Sequence, residues 1–213
     1  MTPLVAVLGA IGLALGLVAD RLATRWPEHD EEHPPGRPVD WRTVACGLFG
    51  AFALGSLGDR FADDPVALGL FGLWFATLIV GLATDLDQRI LPNILTLPVI
   101  PVALVWALSG QNPLVGSELV PALAMATIAP VALYVASIPF GEGAFGQGDV
   151  KLLVGVGLMS GGIRAFTGVV TGLFVAGIAL VVLLALRRIT LRTYVPYGPF
   201  LIFGAVWGIV VRG

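Results

Sequence analysis

The sequence predicts an all-α protein that crosses a membrane several times, and three observations carry that reading. Of 213 residues, 57% are hydrophobic and 12% charged, about half the charged share of a soluble domain. Mean hydropathy is +0.92. Apolar runs near the length of a spanning helix, about 20 residues with a range of about 17 to 25, recur from one end of the chain to the other.

Eight runs qualify as candidate spans: 3–19, 43–57, 66–84, 94–109, 117–138, 150–160, 165–186 and 198–211. The first lacks a basic segment before it and a small-residue cleavage site after it, so it reads as a retained span rather than a signal peptide. Segment 20–42 carries Pro27, Pro34, Pro35 and Pro38. These prolines bar a continuous helix, and a short solvated loop is expected there. The run 150–160 is short enough to be a partial or tilted helix. Gly12/Gly16 and Gly168/Gly172 have the spacing that lets membrane helices approach closely. No internal repeat is visible, which leaves an inverted-repeat transporter without support. One membrane-embedded domain over 1–213 is expected, in contact with lipid.

Basic residues orient the spans. With the N-terminus outside, nine of the 12 Lys and Arg fall on cytoplasmic loops, leaving only Arg60, Arg164 and Arg212 outside. That asymmetry favours an N-out, C-out protein in the plasma (bacterial inner) membrane. It places Asp85 and Asp149 at the same, cytoplasmic face. The net charge of −2 gives no support to a nucleic-acid partner. Cys46 is the only cysteine, so neither an internal disulfide nor a cysteine zinc cluster is possible.

Two segments carry chemistry. In TDLDQRILPN, Asp85 closes an apolar run, Asp87 and Arg89 follow, and Pro92 and Asn93 precede the next run. Pro92 makes 86–92 a bend or broken helix, which membrane proteins tolerate where it lines protein or a wet cavity. A carboxylate at such a depth is a functional candidate by default. Asp87, further into the polar turn, reads better as a loop charge paired with Arg89. In PFGEGAFGQGDVKLL, Gly141, Gly143, Gly146 and Gly148 give Asp149 a flexible approach that allows positive φ and close passage of another backbone. Lys151 has two readings that stand side by side: an anchor whose charge snorkels to the interface, or a cation that keeps Asp149 ionised.

Two carboxyl groups brought close share a proton, because both cannot readily ionise. The ionised one then activates water while the protonated one polarises a peptide carbonyl. No GxSxG or HExxH competes with this reading. His29 and His33 lie in the acidic loop, where a hydrated charged surface is the ordinary explanation, and no metal or cofactor is expected.

GQGDVK resembles the GxGD signature of intramembrane aspartyl proteases. TDLDQRILPN is similar to the aspartate and Pro-Asp element of type IV prepilin peptidases, and PYGPFLIFGA to their terminal block. The three occur in the family's order over the part of the chain from residue 66 onward. The resemblance implies a membrane protease that removes the basic leader of prepilins or pseudopilins at the cytoplasmic face. It makes Asp85 and Asp149 the catalytic pair, with Gly146 and Gly148 in the GxGD loop. Pro92 and Asn93 stand at the Pro-Asp position, with Asn replacing the more usual Asp.

Two departures follow. Bifunctional family members bind zinc through paired cysteines in a longer first loop, and they also N-methylate the mature pilin. That loop is short and cysteine-free here, so a peptidase without methyltransferase activity is expected. The family's glutamate before the GxGD loop has no clean counterpart, since Glu142 is one position off. From another functional class, a proton-coupled transporter would also use paired membrane carboxylates. It leaves the glycine-rich approach to Asp149 and the terminal block unexplained.

Overall fold

The computed structural model describes residues 3–31, 33–140, 146–190 and 197–211, and every regular element among them is helical. A helix stands at each expected span. The run 94–109 is the one that is broken, at Leu97 and Pro98. Contacts gather the chain into two compact units, Met1–Val99 and Ile100–Gly213.

The first unit holds α1 (Pro3–Ala23), α2 (Trp41–Arg60), α3 (Pro65–Gln88) and the single turn α4 (Asn93–Thr96). Asp40 and Asp64 start α2 and α3. Their carboxylates accept the backbone N–H groups of Arg42 at 2.8 Å and Ala67 at 2.9 Å, satisfying donors that have no partner within the helix. Pro65 follows Asp64 at the first helical position, where its missing N–H costs nothing.

What lets α1 and α2 pack is the absence of side chains between them. A Cβ added at Gly12 would lie 2.0 Å from the carbonyl oxygen of Gly50, and one at Gly16 would lie 2.0 Å from that of Cys46. Backbone therefore touches backbone, as the glycine spacing predicts. Phe71, Phe75, Leu57 and Ile79 fill the interior, and Phe61 stacks on Phe71 with ring centroids 4.7 Å apart.

The second unit holds α5 (Val99–Leu108), α6 (Leu119–Ser137), α7 (Gln147–Ser160), α8 (Gly162–Ala185) and α9 (Gly198–Val210). The short run 150–160 is thus the body of a 14-residue helix, α7. It ends at Gly161, whose φ of +78° a side chain would strain. A Cβ at that position would also meet the Leu114 carbonyl oxygen at 2.6 Å. Buried Asn112 secures the same corner, donating to the Met159 carbonyl at 3.1 Å and accepting from Leu114 N at 2.9 Å. Between α8 and α9 the glycine contact recurs: a Cβ at Gly204 would lie 2.2 Å from the Gly168 carbonyl oxygen.

Four helices, α1, α3, α6 and α8, are long and apolar enough to cross a membrane, and Asn93–Leu108 and Gly198–Val210 are shorter apolar helices. Half of the most apolar window of α3 is buried in protein, against 17% for α6 and α8. Large apolar side chains such as Phe174, Val181 and Ile128 point outward on those two, as a lipid-facing surface requires. The helix that carries Asp85 is therefore the most enclosed of the four.

The glycine contacts set a sign test. Gly12→Ala is expected to lower unfolding stability in detergent by about 1–3 kcal/mol, because the new methyl overpacks a backbone contact. Gly69→Ala adds a methyl to open space on α3 and is expected to stabilise by up to about 1 kcal/mol through helix propensity. Equal effects of the two substitutions in thermal or chemical unfolding would refute backbone contact at Gly12.

Candidate active site

The first segment takes its shape from the end of α3. The helix runs through Asp85 and Asp87 to Gln88, further than the bend expected over 86–92. Arg89 then adopts a left-handed conformation, φ 58° and ψ 35°, with its N–H on the Asp85 carbonyl at 2.9 Å. Pro92 caps the next turn, its carbonyl accepting Leu95 N at 3.0 Å, and Asn93 opens α4. Helix geometry separates residues two apart by about 200° around the axis, so Asp85 and Asp87 leave α3 in nearly opposite directions. Both are buried, at 5% and 7% exposure.

Asp87 is not the solvated loop charge that the sequence suggested. Its Oδ1 accepts Arg37 Nε at 2.7 Å and lies 3.5 Å from an Arg42 terminal nitrogen, while its Oδ2 lies 3.4 Å from His29 Nε2. These partners come from the segment after α1 and from the start of α2. Arg37 spreads its three nitrogens over three carboxylates. Nε goes to Asp87, one terminal nitrogen to Asp20 at 2.6 Å, and the other to Asp40. Asp20 is fully buried within α1 and also accepts from Thr43 Oγ1 at 2.6 Å and from Arg21.

Arg37 and His29 therefore tie the loop between α1 and α2 down on its inner side, while most of its described residues are exposed, as a solvated loop requires. Gln88 adds a second tie, its amide donating to the carbonyls of Ala23 at 3.1 Å and Pro27 at 3.4 Å. His33 pairs with Asp30 instead. Burial alone would lower the Arg37 guanidinium pKa, but the hydrogen bonds from Asp87 and Asp20 outweigh it and hold it above the ordinary arginine value. Slight burial would raise the Asp40 carboxyl. The Arg42 backbone N–H and the Arg37 guanidinium prevail, holding it below the ordinary value.

The second segment places Asp149 in the first turn of α7, three residues after the N-cap Gly146. Its carboxylate reaches back to the Gly146 backbone N–H, the reciprocal half of a capping box. Gly146 has φ −72° and ψ 149°, so no positive φ is used there, and Gly148 is already helical. Gly141, Glu142 and Gly143 lie outside the described residues. Lys151 follows two positions after Asp149, about 200° around the helix. Asp85 belongs to the first unit and Asp149 to the second.

The type IV leader peptidase family matches residues 70–186, more than half of the chain and inclusive of both aspartate segments. The chain belongs to that family. Two prepilin leader peptidase/N-methyltransferases of Burkholderia pseudomallei, from strains 1026b and K96243, are each 33% identical over 156 residues. That alignment covers 73% of this chain and 50% of each relative, so the chain spans about half the length of the curated relatives it matches. No solved structure matches it.

The family match begins downstream of Arg37, which in the sequence stands out only as one of the positive charges that orient the spans. Asp20, Arg37 and Gln88 are not legible as a group because their partners lie up to 65 residues away along the chain, from Gln88 to Ala23. The available signal was local: Asp20 sits inside an apolar span next to Arg21, a buried charge in need of a partner.

Removing the shared cation tests the arrangement. Arg37→Met is expected to cost about 3–5 kcal/mol of unfolding stability in detergent, since it strands buried carboxylates. Arg25→Met, at an exposed position of the same segment, is expected to stay within about 0.5 kcal/mol of wild type. A small loss for Arg37→Met in denaturant titration would show that the carboxylates do not depend on it.

Proposed function

We propose that this family member is a membrane aspartyl endopeptidase that cleaves the leader peptide from type IV prepilins or prepilin-like proteins. The observation that carries the proposal is the family match over 70–186. It takes in TDLDQRILPN and GQGDVK, the two segments whose aspartates stand at a buried helix end and at a helix start. The Burkholderia relatives, named as prepilin leader peptidases, support the substrate class. The asymmetry of Lys and Arg along the chain supports a site at the cytoplasmic face of the plasma (inner) membrane.

In the proposed reaction Asp85 and Asp149 share one proton. The ionised carboxylate takes a proton from water as that water attacks the scissile carbonyl carbon. The protonated carboxyl gives its proton to the carbonyl oxygen, yielding a neutral tetrahedral diol. Collapse of the diol returns a proton to the leaving nitrogen, breaks the C–N bond and restores the singly protonated pair. Asp87 takes no part in this cycle, because its charge is balanced by Arg37. Gly146 and Gly148 leave the backbone before Asp149 open to an extended substrate, and Pro92 with Asn93 shapes the turn that follows Asp85. The proposal is confined to hydrolysis and assigns no methyl transfer. It requires no cofactor.

Co-expression with a candidate prepilin, followed by gel shift, tests this reading. Asp85→Asn and Asp149→Asn are each expected to lower leader removal by at least about 100-fold, the lower end of what a positioned acid or base contributes, while both proteins remain in the membrane fraction. Robust cleavage by either variant would overturn the two-aspartate assignment. A wild-type protein that cleaves no prepilin but carries protons across vesicle membranes would be a transporter.

A further inference from the structure

We propose that Arg37 is a positioning residue for Asp85, acting through Asp87 to fix the rotational setting of the last turn of α3. The inference rests on the reading of Asp85 as catalytic, and its geometry lies wholly within the first unit. The last turn of a helix has carbonyl groups without partners inside the helix and frays readily. At α3 it is held by two side chains in succession. Asp87 is fixed to Arg37 at 2.7 Å, and Gln88 is fixed to the Ala23 carbonyl at 3.1 Å. The ties lead to the end of α1 and to the segment that follows it.

Because Asp85 and Asp87 lie about 200° apart on the helix, a clamp on one sets the direction of the other without touching it. The lever is sensitive. A side-chain tip rides about 5–6 Å from the helix axis, so a turn of about 20° moves the Asp85 carboxyl by about 2 Å. A misplacement of about 1 Å in a reacting group can cost about 100-fold in rate.

The clamp is itself rigid, because each nitrogen of the guanidinium is committed. Asp20 holds one terminal nitrogen at 2.6 Å and Asp40 holds the other, so Arg37 cannot follow Asp87 if α3 turns. Asp20 belongs to α1, and Asp40 is the N-cap of α2. The rotation of α3 is thereby referenced to both neighbouring helices. Lysine, with a compact ammonium in place of a planar fork, cannot reproduce three divergent contacts. The identity of the residue matters as well as its charge.

Two measurements test this. In the first, cleavage kinetics are determined per membrane-inserted molecule. Asp87→Asn and Arg37→Lys are each expected to lower kcat by about 10-fold and Arg37→Gln by about 100-fold, with KM within about twofold of wild type. The double variant Arg37→Gln/Asp87→Asn is expected to be no slower than Arg37→Gln alone, since both act on one contact. A raised KM with unchanged kcat, or multiplicative losses in the double variant, would overturn the proposal.

The second measurement needs no activity. In a Cys46→Ala background, Asp85→Cys is labelled with a neutral maleimide in native membranes, with and without Arg37→Lys. The Arg37 substitution is expected to change the labelling rate at position 85 by at least about fivefold through altered exposure. Gln111→Cys, an exposed position of the second unit, is expected to label at an unchanged rate. An unchanged rate at position 85 overturns the positioning role whether or not the wild type cleaves prepilins. A wild type without cleavage, together with a shifted rate at 85, overturns only the peptidase reading.

Discussion

One guanidinium holds together the polar end of the first unit. Arg37 meets Asp20 from α1, Asp40 from the start of α2 and Asp87 from the end of α3. No hydrophobic contact could do the same work there, because the segment between α1 and α2 contributes few apolar side chains. Ordering the backbone of such a segment costs about 1–2 kcal/mol per residue. Hydrogen bonds along the segment offset part of that cost, among them Gly36 N to the Thr24 carbonyl at 2.8 Å. The clustering of three acids around Arg21, Arg37 and Arg42 balances the charges, which is the condition for burying any of them.

The apolar part of the same unit is held differently. In a bilayer there is little hydrophobic gain from bringing helices together, so close packing must supply the attraction. Gly12, Gly16 and Gly50 allow α1 and α2 to touch at the backbone. Gly168, Gly204 and Gly208 do the same for α8 and α9 in the second unit. These contacts fix the distance between helices but only weakly fix how each turns about its own axis. For α3, ties at Asp87 and Gln88 provide that missing constraint.

Much of the fold was legible in the sequence because it is written in local patterns. Spans follow from runs of apolar residues, and Gly12 and Gly168 announced close helix contact by spacing alone. Pro92 correctly signalled a break but not its position: α3 continues through Asp87 because that carboxylate, far from being stranded in a turn, is neutralised within the fold. Between α1 and α2 the described residues are irregular and mostly exposed, as expected, with Arg37 turned inward. A sequence displays the charge of Arg37 and of Asp87 but not their separation in space, 50 residues apart along the chain. The glycines before Asp149 allow positive φ. At Gly146 the backbone is ordinary extended chain, and the residue serves instead as the N-cap whose N–H meets the Asp149 carboxylate.

Asp85 and Asp87 show why depth alone does not settle what a buried acid does. Both are buried carboxylates on one helical turn, and both are costly by the same rule. Asp87 has a cation locked against it, so sharing a proton would forfeit an ion pair and expose Arg37 to the same penalty. Buried ion pairs add little net stability, since desolvation consumes most of the attraction, yet breaking one is expensive. Such a pair is therefore poor as a source of overall stability and effective as a geometric stop: any rotation of α3 that parts Asp87 from Arg37 is opposed steeply. In the proposed arrangement, that stop two residues from Asp85 sets the direction of the neighbouring carboxylate.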